Sequence, residues 1–298
     1  MTALWQLRPQ DPDLARRLSD QLHVHPVVAQ TLINRGLTEI QAAKRFWNPS
    51  LSDLAHPFDL PGAEEAADYL AEAVIAGRRI GVYGDYDADG ITATAILINF
   101  LRQLGQDPSW YLPNRISQGY GLHLEGLEFM VREGVELLIT ADCGTSDFRQ
   151  LEEARRLGLA VIVTDHHLLG PASPQAQAFV NPQRPDSPAA FNGLAGVGVV
   201  FFVLAGLRIK LRQKGFFANR PEPNLKQSLD LVALGTLADV APVVGQNRII
   251  LSAGLETLSQ GAHPGLAALV RVARIKSPVS PRDVLFGLAP RLNASGRL

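Results

Sequence analysis

Cysteine, net charge and long apolar runs are all scarce in this sequence, and each scarcity excludes a class of protein. Cys143 is the only cysteine among the 298 residues, so the chain can form no intramolecular disulfide, as is usual for cytoplasmic proteins. The N-terminus lacks the apolar run of a signal peptide. The longest apolar stretch, 194–207, contains three glycines and is too short to span a bilayer. We therefore expect a soluble cytoplasmic protein without a membrane segment.

The formal net charge of −1 argues against a protein that coats nucleic acid by charge alone. Basic residues are nevertheless concentrated in two stretches, 207–229 and 263–298, with one acid in each. Each stretch is either a solvated surface or a track for a polyanion, and the sequence leaves both open. The basic residues are Arg208, Lys210, Arg212, Lys214, Arg220 and Lys226 in the first stretch, and Arg271, Arg274, Lys276, Arg282, Arg291 and Arg297 in the second.

Short apolar segments alternate with helical patterns over residues 79–180. Such alternation predicts an α/β fold with a mostly parallel sheet flanked by helices, preceded by a helical N-terminal segment and followed by a mainly helical C-terminal part. The predicted divisions are a helical segment and linker over 1–60, a catalytic domain over 61–290 and a connector over 291–298, with the linker starting at 48. The predicted strands are 79–83, 109–112, 135–140, 159–164 and 178–180, and the predicted helices after the linker are 63–76, 92–104, 123–133, 147–157, 194–214, 225–237, 247–259 and 263–273.

An acidic motif follows the first predicted strand, and ligands of parallel sheets bind at the carboxyl ends of strands. Asp85, Asp87 and Asp89 alternate, so their carboxylates can converge on one divalent cation or on two that share a ligand. Three clustered carboxylates repel one another unless a cation offsets their charge, which disfavours a merely polar turn. A calcium loop of the EF-hand type needs a preceding helix and a glutamate at its twelfth position, which is Ile96 here.

The next motif, Thr140-Ala-Asp-Cys-Gly144, follows the third predicted strand. Asp142 in this motif is either a ligand or the N-cap of a helix. Cys143 is either a nucleophile or a small buried residue, and no histidine near it in sequence supports the first alternative.

Histidines enter after the fourth predicted strand, in Val163-Thr-Asp-His-His-Leu168. Asp165, His166 and His167 offer either metal-ligating groups or plain polar surface. Asp239, in Leu-Ala-Asp-Val-Ala, is a lone acid in an apolar run, and a buried unpaired carboxylate is costly. We therefore expect Asp239 to be paired or metal-bound.

Together and in this order, the motifs D-x-D-x-D-G, A-D-C-G, D-H-H and G-T-x-A-D resemble those of the DHH phosphoesterase superfamily. The likeness extends from about residue 20 to the last residue. Three further segments resemble the RecJ branch of single-strand-specific 5′→3′ DNA exonucleases: PNRISQGYGL at 113–122, GLAGVG at 193–198 and PRLNASGR at 290–297. The fold that this resemblance implies is the DHH phosphoesterase domain.

The resemblance implies two divalent ions, manganese with magnesium as a substitute, and water activated between them. The implied metal ligands are Asp85, Asp87, Asp89, Asp142, His166 and Asp239, with Asp142 as the bridge and Asp85 either a ligand or a neighbour of one. Asp165 orients the ligands, and His167 faces the substrate as a hydrogen-bond or proton donor. A pyrophosphatase of the superfamily carries a histidine where this chain has Tyr83, which counts against that activity.

Further residues are implied to bind substrate phosphate: Arg115, Gly119, Tyr120, Asn293, Ser295 and Arg297. For Arg115 the implied role is a guanidinium fork on a terminal phosphate, and the alternative is a surface salt bridge.

The function implied by the resemblance is the removal of nucleotides from 5′ ends of single-stranded DNA in repair and recombination. The implied state is a monomer that meets a single-strand-binding protein and a helicase. One alternative is a DHH-family phosphodiesterase acting on short oligonucleotides or cyclic dinucleotides. Another is a binding protein that has lost its metals, which the full set of acids and histidines disfavours. We also expect a truncated or split protein, because in this branch the segment after 291 leads into a second domain, called DHHA1.

Overall fold

The computed structural model describes residues 6–170 and 172–295, and the chain forms two compact units that divide between Leu54 and Ala55. The first unit contains three helices: α1 (Pro12–Leu22), α2 (Pro26–Ile33) and α3 (Ile40–Trp47). Their apolar faces meet in a small core that includes Leu18, Leu32 and Ala43. The helical character predicted for this segment is therefore confirmed.

The predicted linker contains more regular structure than its composition indicates. Two short 3-10 helices, Leu51–Asp53 and Pro57–Asp59, lie within it. The next helix, α4 (Ala63–Ala76), has the bounds predicted from the sequence and ends at Gly77, whose left-handed φ of 67° suits a helix C-terminus.

A five-stranded sheet forms the centre of the second unit. Its order is β2-β1-β3-β4-β5, and every pairing is parallel, which confirms the predicted α/β class. The strands are β1 (Ile80–Gly84), β2 (Ser109–Tyr111), β3 (Leu137–Ala141), β4 (Ala160–Thr164) and β5 (Ala178–Val180), and the helices between them are α5 (Ala88–Gln103), α6 (Leu124–Arg132) and α7 (Phe148–Arg156).

The strand order creates a point at which the chain reverses direction across the sheet. From β1 the chain passes through α5 to β2 on one side, and then through α6 to β3 on the other side of β1. Because parallel crossovers are right-handed, helices of the two directions cover opposite faces. Ligands of open α/β sheets bind at the carboxyl ends of the strands on either side of such a point, which are β1 and β3 here.

Helix α5 starts four residues earlier than predicted. Ala88 is already helical because the Asp87 side chain accepts hydrogen bonds from the first turn. The third acid of the motif, Asp89, therefore lies on a helix.

The part after β5 is mainly helical, as expected. Helix α8 (Gly196–Gln213) is almost fully buried and packs against α4 and α5. The predicted helix at 225–237 begins as a 3-10 turn, Leu225–Ser228. The remaining helices are α9 (Leu229–Ala238), α10 (Gly245–Gln260), α11 (Pro264–Val272), α12 (Pro281–Asp283) and, after a π-helical turn at Val284–Leu288, α13 (Ala289–Ser295). No helix among the described residues is long and apolar enough for a bilayer crossing.

Candidate metal centre

The three acids after β1 have three different environments. Asp85 is buried directly after the strand, and burial raises its pKa to about 7. Asp87 is the N-cap of α5, and its Oδ1 accepts hydrogen bonds from the backbone N–H groups of Asp89 and Gly90. Because the motif follows a strand and Ile96 lies within α5, the EF-hand alternative is wrong.

Asp89 connects α5 to the start of α8. Its two carboxylate oxygens accept hydrogen bonds from the N–H groups of Gly196 (2.8 Å) and Val197 (2.9 Å), which belong to the first turn of α8. Burial, followed by repulsion from Asp239, raises the pKa of Asp89 to about 8. The helix N-terminus offsets part of the cost of a buried carboxylate at this point.

Asp142 lies at the carboxyl end of β3 in a left-handed backbone conformation, with φ of 68°. Helix α7 begins only at Phe148, so the helix N-cap alternative for Asp142 is wrong. The side chain is 2% exposed, and its Oδ1 accepts no hydrogen bond. Burial and the neighbouring acids, Asp89 first among them, hold the pKa of Asp142 well above its usual range.

A glycine allows α8 to approach Asp142 this closely. A Cβ atom at Gly196 would lie 2.4 Å from Asp142 Oδ1, which is far inside van der Waals contact. Any larger residue at the start of α8 would therefore displace either the helix or the carboxylate.

Asp165, at the end of β4, is also fully buried, but both oxygens of its carboxylate accept hydrogen bonds. Its Oδ2 accepts from the N–H of Thr145 (2.9 Å). Its Oδ1 accepts from the N–H groups of His166 (2.7 Å) and His167 (3.2 Å) and lies 2.7 Å from His167 Nδ1. Burial alone would raise the pKa of Asp165, but the hydrogen bonds from His167 and Thr145 outweigh it, so the pKa is lowered.

His166 lies between the carboxylates of three different elements. Its Nε2 is 3.1 Å from Asp142 Oδ1, though outside hydrogen-bonding geometry, and 3.8 Å from Asp89 Oδ2. Its Nδ1 is 3.9 Å from Asp239 Oδ2, at the C-terminus of α9. Burial lowers the pKa of His166, which favours the neutral imidazole that metals bind.

His167 is more accessible, with 45% of its side chain exposed. Its Nδ1 bonds to Asp165, and the hydroxyl of Tyr120 lies 3.0 Å from the same nitrogen. The hydrogen bond to Asp165 raises the pKa of His167. The ring is thus fixed at its Nδ1 edge, and no described residue forms a hydrogen bond to its Nε2.

Three groups of potential ligand atoms result, each with atoms within 4.8 Å of one another: Asp85, Asp87 and Asp142; Asp89, His166 and Asp239; and Asp142, His166 and His167. Within residues 6–170 and 172–295, none of these carboxylates forms an ion pair with a lysine or arginine. Two buried oxygens, Asp85 Oδ1 and Asp142 Oδ1, have no hydrogen-bond partner. Carboxylate oxygens with imidazole nitrogen fit divalent cations such as manganese.

The residues implied to bind phosphate are only partly placed around this centre. The Arg115 guanidinium lies over the ring of Tyr86, 4.9 Å from its centroid, rather than in a salt bridge. Gly119 has a φ of 81° in the same loop, and its carbonyl is 3.2 Å from the Nε2 of His123. Asn293 Oδ1 accepts a hydrogen bond from the N–H of Ala88, between Asp87 and Asp89. The side chain of Ser295 and the whole of Arg297 lie outside the described residues.

Three polar residues that support this centre were not predicted from the sequence: Thr145, Asp147 and Asn181. Asn181 follows β5 and donates to Thr145 Oγ1 and to the carbonyl of His167. Asp147 Oδ2 accepts from the N–H of Leu122 and so holds the loop that carries Tyr120. The position of Asn181 directly after a strand was a usable signal, whereas nothing local marks Thr145 or Asp147.

Cys143 and Tyr83 lie in the core rather than at the site. Both side chains are fully buried in the cluster beneath α6 and α7. Burial raises the pKa of the Cys143 thiol well above its ordinary value, which disfavours a nucleophilic thiolate. The Tyr83 hydroxyl accepts a hydrogen bond from the N–H of His123 and supplies no ligand.

The two basic stretches differ in how their cations are paired. In the first, Lys210 pairs with Glu64 and Asp68, and two arginines pair with Glu222. Lys214, Arg220 and Lys226 of the same stretch have no ion pair among the described residues, so only the part at 208–212 fits the solvated-surface alternative. In the second stretch, the described part contains no ion pair to a carboxylate from Arg274, Lys276, Arg282 or Arg291.

Comparisons with known proteins identify the family of this chain. Residues 79–236, just over half of the chain, match the family model described as the DHH family, N-terminal domain. The chain is 41% identical over 298 residues to the single-stranded-DNA-specific exonuclease RecJ of Escherichia coli, covering 98% of this chain and 51% of that protein. It thus spans about half, or less, of the length of the curated relatives that it matches.

Two solved structures are similar along nearly the whole chain. RecJ in complex with Mn²⁺ from Thermus thermophilus is 34% identical, with a TM-score of 0.80, over 98% of this chain and 40% of that one. Its complex with Mg²⁺ is 32% identical, with a TM-score of 0.70, over 98% of this chain and 37% of that one. From its sequence match and its site geometry, the chain belongs to the DHH family.

Proposed function

We propose that this chain is a divalent-metal-dependent phosphodiester hydrolase that removes nucleotides from the 5′ ends of single-stranded DNA by two-metal hydrolysis. The observation that carries the proposal is the environment of Asp142. Its buried carboxylate has no hydrogen bond at Oδ1 and no ion pair with a lysine or arginine among the described residues, and it belongs to two of the three groups of ligand atoms. An unpaired buried carboxylate is unfavourable without a cation.

In this proposal Asp85 and Asp87 would hold one ion, Asp89, His166 and Asp239 would hold the other, and Asp142 would be available to both. The RecJ structures in complex with Mn²⁺ and Mg²⁺ support a divalent ion, and the histidine favours manganese. When bound, two such ions lower the pKa of water and offset the charge on phosphoryl oxygens.

The protein's own residues then orient the substrate and transfer a proton. Asp165 fixes the His167 ring through Nδ1 and stabilises its protonated form. His167 Nε2 is thus positioned to donate a hydrogen bond to the phosphate or a proton to the leaving oxygen. Tyr120, in contact with His167, is positioned to contact the same phosphate.

The 5′ end is proposed to bind the loop that carries Arg115 and Gly119. A guanidinium can bind a terminal phosphate with two parallel hydrogen bonds. Such binding would fix the distance between the 5′ end of the strand and the metal centre. Asn293, Ser295 and Arg297 are proposed to complete this phosphate site. In this assignment the metal-binding residues all belong to a catalytic domain over 61–290, followed by a connector from 291.

The likeness to RecJ supports several finer proposals. We propose that the chain acts in DNA repair and recombination in the cytoplasm. We also propose that it is a monomer whose partners are a single-strand-binding protein and a helicase. Size-exclusion chromatography and affinity capture with purified partners test the state and the interactions.

The test of the function is nucleotide release from 5′- and 3′-labelled single strands in Mn²⁺ or in EDTA. A linear dinucleotide, a cyclic dinucleotide and pyrophosphate are assayed alongside. We expect Mn²⁺-dependent release from the 5′ end of the longer strands. Cleavage of the dinucleotides alone would favour the short-substrate phosphodiesterase, and undiminished activity in EDTA would exclude metal catalysis.

A further inference from the structure

Phe286 lies where two surface hollows meet. Its side chain is 76% exposed in the π-helical turn between α12 and α13. It lines one hollow with Val240 and Pro290, and a second hollow with basic residues of the second stretch. The two hollows are therefore continuous across one aromatic ring.

The first hollow borders the metal centre. Ala238 and Val240, which line it, are the chain neighbours of Asp239. Asn293 also lines it and bonds to the N–H of Ala88, next to Asp87 and Asp89. The first hollow therefore lies next to residues of the metal centre.

The wall at Val240 is held exposed in an unfavourable backbone conformation. Val240 has a φ of 58°, a value rare for a β-branched residue, and its side chain is 78% exposed. Glycine is the usual residue at such a position after a helix. The fold thus exposes the side chain of Val240 to solvent beside the metal centre. The exposed ring of Phe286 lines the same hollow.

The second hollow carries a strong positive charge. It is lined by Arg274, Lys276, Arg282, Arg291 and a single acid, Asp283. The Asp283 carboxylate is engaged with Ser280 in a capping box. Among the described residues these four cations have no carboxylate partner, whereas Lys210, Arg208 and Arg212 of the first stretch are paired.

We propose that these two hollows, here called the Phe286 surface (Val240, Arg274, Lys276, Arg282, Phe286 and Arg291), bind the single strand beyond the metal centre. An aromatic ring for base stacking beside cations for phosphates is the combination that binds single strands without sequence preference. The charge of the second hollow complements a phosphodiester backbone. This inference rests on the proposed function, because the strand must pass from the metal centre to this surface.

The test is the affinity of the chain for 3′-fluorescein oligothymidylates of 2 and 20 nucleotides, measured by anisotropy in EDTA at several salt concentrations. Because the acidic centre is the same in every variant, its repulsion cancels in the comparison. For Phe286→Ala we expect roughly 5- to 150-fold weaker binding of the 20-mer, the range for removal of one base-stacking aromatic. The double variant Arg274→Ala/Arg282→Ala should reduce the salt slope by about 1.4, because each neutralised phosphate of a single strand contributes about 0.7 to that slope.

The matched control is Lys214→Ala/Arg220→Ala, which removes the same charge from the first basic stretch. We expect its salt slope and affinity to equal those of the wild type. Phe286 is exposed, so its truncation leaves no cavity, and equal melting temperatures check that every variant is folded. Unchanged 20-mer binding by Phe286→Ala and the test pair, or equal losses in the test and control pairs, overturns the inference.

Nucleotide release in Mn²⁺ separates this inference from the proposed function. A wild-type chain that binds the 20-mer through the Phe286 surface but releases no nucleotide contradicts the proposed function alone. A wild-type chain that releases nucleotides, while the Phe286→Ala variant binds normally, contradicts this inference alone.

Discussion

Asp142 and Asp165 occupy corresponding positions at the carboxyl ends of the neighbouring strands β3 and β4, yet the fold treats them in opposite ways. Both side chains are buried. Asp165 accepts hydrogen bonds from three backbone N–H groups and contacts the His167 ring, and its pKa is lowered. Asp142 Oδ1 has no hydrogen-bond partner, and the pKa of the group is raised.

The difference shows that burial does not by itself identify a functional carboxylate. A buried acid whose acceptor sites are filled by the protein is a structural element that orients its donors. An acid left without donors costs about 1–3 kcal/mol in the isolated protein, and a bound cation can remove that cost. On this basis Asp142 is the stronger candidate for a metal ligand, and Asp165 positions His167.

The largest effect is expected for Asp142→Ala. Loss of the shared carboxylate should reduce nucleotide release on the order of a thousandfold or more, because several kcal/mol of metal-derived stabilisation is lost. The measurement is the rate of release from a 5′-labelled single strand in Mn²⁺. Full turnover by this variant would show that Asp142 does not connect two ions.

Gly196→Ala tests the same carboxylate without changing it. The added Cβ would meet Asp142 Oδ1 at 2.4 Å, and a displacement of about 1 Å near reacting groups can reduce a rate about a hundredfold. The matched control is Gly265→Ala, also in the first turn of a helix, where an added Cβ has nothing within 4 Å. Equal activity of the two variants would show that the close approach of α8 is unimportant.

Asp165→Asn should have a smaller effect on activity. A residue that orients a catalytic or metal-ligating side chain through a hydrogen bond typically contributes about 10- to 100-fold to activity or metal affinity. We expect kcat to fall more than KM rises, because the substrate still meets His167, but the ring is held less firmly. A loss as complete as that of Asp142→Ala would mean that Asp165 itself binds an ion.

The smallest effect concerns the metal-free protein, in which substitutions of Asp142 and Asp165 should change the free energy of unfolding in opposite directions. Asp142→Asn replaces an acid whose ionisation is disfavoured by burial and by the neighbouring acids, so the free energy of unfolding in EDTA should rise slightly. Asp165→Asn replaces one acceptor oxygen with an amide donor, so the same quantity should fall by about 1–3 kcal/mol. Urea denaturation measures both, and a decrease for Asp142→Asn would show that its charge is already compensated.

Much of this arrangement could be predicted from local sequence. Strands of a parallel sheet are buried on both faces and form nearly continuous apolar runs, so β1, β3 and β4 were recognisable, as were the polar residues that follow them. What distinguishes Asp142 from Asp165 was implied by the family resemblance but was not recognisable from the local sequence. The donors of Asp165 depend on the paths of the backbone at Thr145 and His167, which only the folded chain defines.

The basic stretches show the same limit at longer range. Both stretches have a similar excess of positive charge in sequence. Lys210 of the first is neutralised by Glu64 and Asp68, more than 140 residues away along the chain. Composition therefore could not separate the paired cations at 208–212 from the cations that remain free of carboxylates in the described part of the chain.

The position of Asp87 has a consequence for observing metal binding in solution. One oxygen of this carboxylate already accepts the amide protons of Asp89 and Gly90 at the start of α5, and the same side chain belongs to a group of potential metal ligands. An ion bound at this carboxylate draws electron density from it and so changes the environment of those two amide protons, whichever oxygen the ion binds. The amide resonances of Asp89 and Gly90, and the rates at which their protons exchange with deuterium, should therefore serve as spectroscopic reporters of metal occupancy without any substrate.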